Sequence, residues 1–294
     1  MTRTRATAIG FSAVLMWGMM PILTIGTAPV PPLLMTALCF GISGLLGLAW
    51  AARRGLGRLL SISWRVHAFG VAGLFGYHFF YFNALRAAPA AETVLFANFW
   101  PLLIVLFSGL LPGERLRLQH VAGALIALAG AALIILNGGA GGAFTVTGLL
   151  YASGCSLTWA LYSVISRRLG DVPSDAVAIY CIGTAVLSAL AHLVLEDTLW
   201  PGGTVAWLSL VALALGPIGA AFFTWDIGMK KGNIQLLGVA SYAGPPIAVL
   251  TLVAAGVNAP TWSLLVAVAL IVAGAMLAAS PGLSPPASDA RSLP

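Results

Sequence analysis

The chain has 294 residues, a mean hydropathy of +1.00, 60% hydrophobic residues and only 7% charged ones. A soluble domain carries about 25% charged residues, so soluble enzymes, soluble binding modules and disordered proteins are excluded. The formal charge of +6 does not point to nucleic acid, because the basic residues sit in loops between apolar runs, as membrane topology requires.

A spanning helix takes about 20 apolar residues, and the chain reads as ten of them. In chain order the predicted spans are 6–26, 33–52, 66–86, 90–111, 118–136, 147–167, 176–195, 205–229, 233–255 and 260–280. Loops with Gly and Pro separate most of them, as at 27–32 and 138–147. The first run follows Arg3 and Arg5 as a signal peptide would. It is too long for one and holds Trp17 and Pro21 mid-run, so it reads as an uncleaved span. Residues 281–294, rich in Ser, Pro and Ala, read as a disordered cytoplasmic tail. Cys39, Cys155 and Cys181 lie inside apolar runs without metal-ligand spacing and are expected to be packing residues. No metal and no cofactor are expected.

Orientation follows from the Lys and Arg residues. With the N-terminus inside, 13 of the 14 fall on the cytoplasmic side and Arg86 alone falls outside. The expected location is a bacterial-type inner (plasma) membrane, multi-pass, with both termini cytoplasmic.

The sequence nearly repeats halfway. Residues 128–132 are echoed by 272–276, and 79–83 by 222–226. Pro101 is echoed by Pro245, and Trp17-Gly18 by Trp159-Ala160. The offsets of 142 to 144 residues equal five spans. Five is odd, so the second half enters the bilayer from the opposite side. The expected fold class is therefore all-α integral membrane, with ten transmembrane helices as two inverted five-helix repeats, 1–137 and 138–280.

The candidate site lies among mid-span polar and aromatic residues. Phe75, His78, Phe79 and Phe82 share one helix face, and Tyr151, Cys155, Trp159 and Tyr162 form a second stripe. Asn98 and Trp100 stand beside Pro101, and Ser241 and Tyr242 shortly before Pro245 and Pro246. Trp and Tyr normally gather at membrane interfaces; Trp17, Trp100, Trp159 and Tyr242 lie near mid-depth instead. The expected substrate-binding set is Trp17, His78, Phe79, Phe82, Asn98, Trp100, Trp159, Tyr162, Ser241 and Tyr242. Pro21, Pro101, Pro217, Pro245 and Pro246 are the expected hinges, since each removes a backbone hydrogen bond. An aromatic stripe also serves packing, and His78 has two readings: a substrate contact, or a neutral imidazole bonded to a backbone carbonyl. Asp226 with Lys230, and Arg86 with Glu92, read as surface ion pairs; His192 reads as interfacial.

Further features resemble a known family. Glu114, Arg115, Gln119, Gly123 and Gly130, with Trp17-Gly18 and Pro101, resemble the EamA-type exporters of the drug/metabolite transporter superfamily over 6–280. Within it the chain is similar to exporters of aromatic amino acids. It departs in the second half, where Val257 and Asn258 stand in place of the usual acidic residue.

No Lys or Arg lies mid-span to meet a phosphate, and an aromatic, nearly neutral cavity suits a zwitterion with an apolar side chain. The expected function is a secondary transporter exporting small neutral metabolites, chiefly aromatic or neutral amino acids, by alternating access around a midplane cavity. Another metabolite carrier or a lipid flippase on the same scaffold is the alternative. A channel or membrane enzyme fits less well, because charge rings and catalytic motifs are not visible. The expected partners are a small-molecule substrate and the lipid bilayer, not nucleic acid. Spans five and ten are expected to be peripheral supports or a dimer surface, and the oligomeric state stays open.

The topology is testable. Cysteines placed in 138–147 and 196–203 should react with an impermeant thiol reagent from outside, and cysteines in 53–57 should not. The reverse pattern would overturn the ten-span reading.

Overall fold

Inside lipid no water is at hand for backbone amides and carbonyls, so a spanning chain closes its own hydrogen bonds as helix or barrel. The computed structural model describes residues 1–87, 90–137, 145–257 and 261–280, with the backbone alone for 90–93, 134 and 137. All regular structure among them is helical. The helices are α1 (Arg3–Gly18), α2 (Met20–Gly26), α3 (Pro32–Ala52), α4 (Gly57–Leu60), α5 (Trp64–Ala87), α6 (Ala90–Ala97), α7 (Trp100–Ser108) and α8 (Leu118–Asn137). They continue as α9 (Val146–Arg168), α10 (Val177–Leu195), α11 (Thr204–Leu215), α12 (Ala221–Lys231), α13 (Ile234–Ala240), α14 (Gly244–Ala254) and α15 (Trp262–Ala279).

Seven stretches are long and apolar enough to cross a membrane: Arg3–Gly26, Pro32–Ala52, Val146–Arg168, Ser174–Leu195, Thr204–Lys231, Ile234–Ala254 and Trp262–Ala279. Val94–Ser108 and Leu118–Leu133 are apolar but shorter. The 24-residue α5 is long enough, but its His, Tyr and Asn side chains dilute its apolarity. The expected tail 281–294, the loop residues 138–144 and Asn258 lie outside the described residues.

The helices are interrupted where proline removes a donor. Met19 separates α1 from α2, which starts at Met20-Pro21, and Asn98–Phe99 separates α6 from α7, which starts at Trp100-Pro101. A π-helical turn, Gly216–Ala220, contains Pro217 and joins α11 to α12. A 3-10 turn, Ser241–Ala243, precedes Gly244-Pro245-Pro246 at the start of α14. All five expected hinge prolines thus stand at a break. Within the π-turn Gly219 has no room for a side chain, since a Cβ there would run into the Ala214 carbonyl oxygen.

Small residues let the helices approach closely, which is how packing works without a hydrophobic drive between helices. Gly10 of α1 meets Gly228 of α12, where a Cβ on Gly10 would stand 2.8 Å from the Gly228 Cα. Gly73 of α5 lies under the Tyr162 ring of α9, and Gly44 of α3 lies against Ile182 of α10. Between α8 and α15, a Cβ on Gly123 would be 2.5 Å from the Gly274 oxygen, and one on Gly130 would be 2.9 Å from the Ala267 oxygen. The contact order runs down one helix as it runs up the other, so α8 and α15 are antiparallel. Gly113 and Gly256, in the turns after α7 and α14, adopt left-handed φ angles of 78° and 73°, which glycine takes without a Cβ clash.

The main core lies between α1, α3, α5, α7 and α9 to α13, and is rich in aromatic rings. A smaller one joins α7, α8, α13 and α15 around Val105, Ala127 and Tyr242.

Gly123→Leu should force α8 and α15 apart. Overpacking of this kind costs about 1–3 kcal/mol, so the melting temperature in detergent should fall, whereas Gly57→Ala, which meets open space, should leave it unchanged.

Candidate functional site

The break after α1 places Trp17 in the main core, where its indole Nε1 donates to the Pro217 carbonyl at 3.0 Å. That carbonyl belongs to the π-turn, so two helix irregularities face each other. Around the Trp17 ring stand Trp225 at 5.1 Å, Trp159 at 5.7 Å, Phe222 at 6.0 Å and Trp100 at 6.2 Å between centroids. Most pairs meet edge to face, the arrangement that aromatic quadrupoles favour. Trp159 continues the cluster to Tyr162 at 5.2 Å and to Tyr77 at 5.4 Å. Trp225 Nε1 donates to Ser163 Oγ at 3.0 Å.

His78 is buried beside this cluster, 5.1 Å from Phe40, and 6.2 Å from both Phe222 and Phe82. Its Nδ1 lies 2.8 Å from the Leu74 carbonyl. The imidazole is therefore bonded to its own helix, the plainer of the two readings, and presents its other edge to the rings. Phe82 and Phe79 are half-buried, and the Phe79 ring packs against Phe75 and, edge to face, against Phe80.

The remaining expected site residues serve the helix breaks in this conformation. Asn98 Nδ2 donates to the Val94 carbonyl at 2.8 Å, and Ser241 Oγ to the Leu237 carbonyl at 2.7 Å. Tyr242 Oη accepts the Leu102 amide at 3.2 Å, so Tyr242 caps α7 from the smaller core. Sequence reasoning brought together Trp17, Trp100, Trp159, Tyr162 and His78. It left out Phe222, Trp225, Tyr77 and Phe40. The signal for Phe222 and Trp225 was present in the echo of 79–83, which was used for the repeat alone.

Two carboxylates organise the ends of the bundle. Glu114 accepts from Arg3 Nη2 at 2.9 Å, from Gln235 Nε2 at 3.2 Å and from Arg167 Nη2. Burial opposes its ionisation, but the Gln235 hydrogen bond and the Arg167 and Arg3 charges outweigh it and hold the carboxyl below its ordinary range. Arg167 Nη1 also lies within 3.0 Å of the Met229, Lys230 and Gly232 carbonyls, at the C-terminal end of α12 where a cation is favoured. At the other end Glu196 receives Arg86 at 3.1 Å, His192 at 3.0 Å and the Leu33 amide at 3.0 Å. Arg86 therefore pairs with Glu196, 110 residues away; the side chain of Glu92, the acid expected from the sequence, lies outside the described residues. His192, in the last turn of α10, is buried in protein. The Asp226–Lys230 pair forms as spaced, at 2.8 Å, but it is buried and not a surface pair, because α12 turns that face toward α9 and the 169–176 connection.

One cavity of about 440 Å³ lies between α1 and α13, bordered by Arg3, Thr7, Phe11 and Asn233. Another, of about 330 Å³, lies over Lys230 and Ser174. Neither is lined by any of the ten expected site residues.

A multi-pass apolar helix bundle with irregular helices meeting at its aromatic centre is the build of a small-molecule transporter. The chain belongs to the EamA-like transporter family, which matches residues 5–136 and 146–280. It is 52% identical over 284 residues to the aromatic amino acid exporter YddG of Ancylobacter novellus, covering 95% of this chain and 98% of that protein. It is 27% identical over 265 residues to the aromatic amino acid exporter YddG of Salmonella typhimurium, covering 83% and 86%. A crystal structure of a protein 51% identical superposes with a TM-score of 0.89, over 95% of this chain and 98% of that one.

A carboxyl held below its ordinary range stabilises the fold above that range, and loses its contribution as pH falls through the lowered value. Glu114→Gln should therefore lower the melting temperature at neutral pH and weaken its fall on acidification; a variant curve parallel to the parent's in acid would contradict the assignment.

Proposed function

We propose that this chain exports aromatic and other neutral amino acids by alternating access around the cluster of Trp17, Trp100, Trp159, Phe222 and Trp225. The observation that carries this reading is the cluster itself: a centre of five uncharged aromatic rings, assembled from α1, α7, α9 and α12. Such a surface takes an aromatic ring by edge or face, and an ammonium by cation–π attraction. The similarity to exporters of aromatic amino acids in Ancylobacter novellus and Salmonella typhimurium supports the same class.

The proposed architecture is ten spans in two inverted repeats, 1–137 and 138–280, with both termini cytoplasmic. Matching irregularities support it. The breaks at Asn98 and Ser241, and the left-handed Gly113 and Gly256, each lie 143 residues apart. With an offset of 144, Gly123 corresponds to Ala267 and Gly130 to Gly274. Exchanging the halves then turns the Gly123–Gly274 contact into the Ala267–Gly130 contact, which is also present. A two-fold axis that exchanges antiparallel helices lies across them, hence in the membrane plane.

The two ends of this arrangement differ. Glu114 ties α1, α9 and α13 together at the Lys- and Arg-rich end, whereas its equivalent in the second half, 143 residues on, is Val257. This conformation is accordingly read as closed toward the cytoplasm.

Purified protein in liposomes should transport phenylalanine and tryptophan. Trp159→Ala should weaken apparent affinity by roughly 2- to 10-fold, the worth of one aromatic contact, with the folded protein retained. Leu125→Ala, at a half-exposed position on α8, should match the parent. Transport of a sugar phosphate without any amino acid would overturn the reading.

A further inference from the structure

The face of α12 that carries Phe222 and Trp225 does not end at the aromatic cluster. One turn after Phe222, toward the Lys- and Arg-rich end, it carries Asp226, and one more turn on, Lys230. Lys230 Nζ and Asp226 Oδ2 are 2.8 Å apart, with side chains 3% and 1% exposed. Ser174 Oγ donates to the same Oδ2 at 2.6 Å, and Lys230 Nζ donates to the Val172 carbonyl at 3.0 Å. The second carboxylate oxygen, Oδ1, has no hydrogen-bond partner among the described residues. Tyr162, which stacks on Trp159, lies within electrostatic reach of Asp226. Above the pair opens the 330 Å³ cavity, bordered by Lys230, Ser174 and Ile227 and by Arg54, Arg58 and Asp171 on its rim.

Two features are unexplained by support alone. A buried ion pair is rarely worth more than an apolar pair of the same size, and a buried carboxylate oxygen left without a donor is costly. Both make sense if another molecule completes the site. A zwitterion carries the two complementary charges on one carbon, so it can replace each member's partner. A purely anionic ligand would leave its charge against Asp226.

We propose that Asp226 and Lys230 form an acceptor site for the head group of a substrate amino acid on the cytoplasmic side. The substrate carboxylate goes to Lys230 and its ammonium to Asp226, and the side chain points along α12 toward Trp225. The site lies between the cytoplasmic cavity and the aromatic cluster. This inference rests on the amino-acid reading above.

The test uses inside-out membrane vesicles, which present the cytoplasmic face to added substrate. The probes are phenylalanine and phenylalaninamide, which keeps the ammonium and masks the carboxylate. The double variant Asp226→Asn with Lys230→Met strands no charge. It should raise the KM for phenylalanine about tenfold more than the KM for the amide, the worth of one charge-assisted hydrogen bond. Lys230→Arg keeps the charge and should keep the parent's preference. Ser174→Ala removes a competitor for Asp226 and should lower the phenylalanine KM about twofold; it also serves if the double variant does not fold. Parallel changes for both probes in the double variant, or parallel loss in Ser174→Ala, would make the pair a staple for the 169–176 connection and overturn the proposal. Parent vesicles that carry no amino acid at all would instead overturn the reading of the preceding subsection.

Discussion

In a bilayer an interrupted helix must find new partners for the groups it frees, because lipid supplies none. This constraint explains the centre of the structure. Three of the four breaks are answered by a side chain from another element. Thr251 Oγ1 donates to the Gly18 carbonyl at 3.2 Å, where α1 stops. Tyr242 Oη receives the Leu102 amide, and Trp17 Nε1 meets the Pro217 carbonyl. Ser43 Oγ bonds the Ala214 carbonyl just before the π-turn. The irregular helices are thus held in place by each other. Residues that a composition-based reading would assign to solubility or packing are the ones that make bent helices tolerable here.

The irregularities are not shared evenly between the halves. α1 stops at Gly18, while its echo in α9 runs unbroken through Trp159. The π-turn at Gly216–Ala220 joins α11 to α12, while the corresponding stretch of α5, 143 residues earlier, is regular helix. The paired breaks near Asn98 and Ser241 are the exception. α1 and α12 also pack on one another through Gly10 and Gly228. The strongest departures from helix geometry therefore lie on one contiguous pair. π-turns and broken helices persist where surrounding contacts hold them, and they are frequent at functional positions.

Much of this was legible in the sequence because it rests on local chemistry. Apolar run length gave a multi-pass helical membrane protein. Proline positions marked the interruptions, since loss of an amide donor acts on the neighbouring turn whatever the tertiary context. The i, i+4 spacing of Asp226 and Lys230 correctly paired them. Their burial was not legible, because it depends on which way α12 rotates against α9. The Arg86–Glu196 bond was not legible either, because it joins residues 110 apart in the chain. Tyr242 looked like a ring for the centre, yet its hydroxyl serves the amide that the break before α7 leaves without a helical partner. Phe222 and Trp225 were not picked out for the aromatic centre because an echo between two stretches of sequence says which positions correspond, and not which of them face inward.

Arg167 is one side chain with two jobs. One nitrogen of its guanidinium meets Glu114, and the other lies against three carbonyls at the end of α12. These bonds share a rigid planar group, so they cannot be given up one at a time as a string of separate lysines would allow. Displacing the end of α12 from α9 releases the helix terminus and the carboxylate clamp in the same movement. This Lys- and Arg-rich end of the bundle therefore behaves as a toggle rather than a spring. An ammonium at this position would keep the charge and lose that all-or-none character.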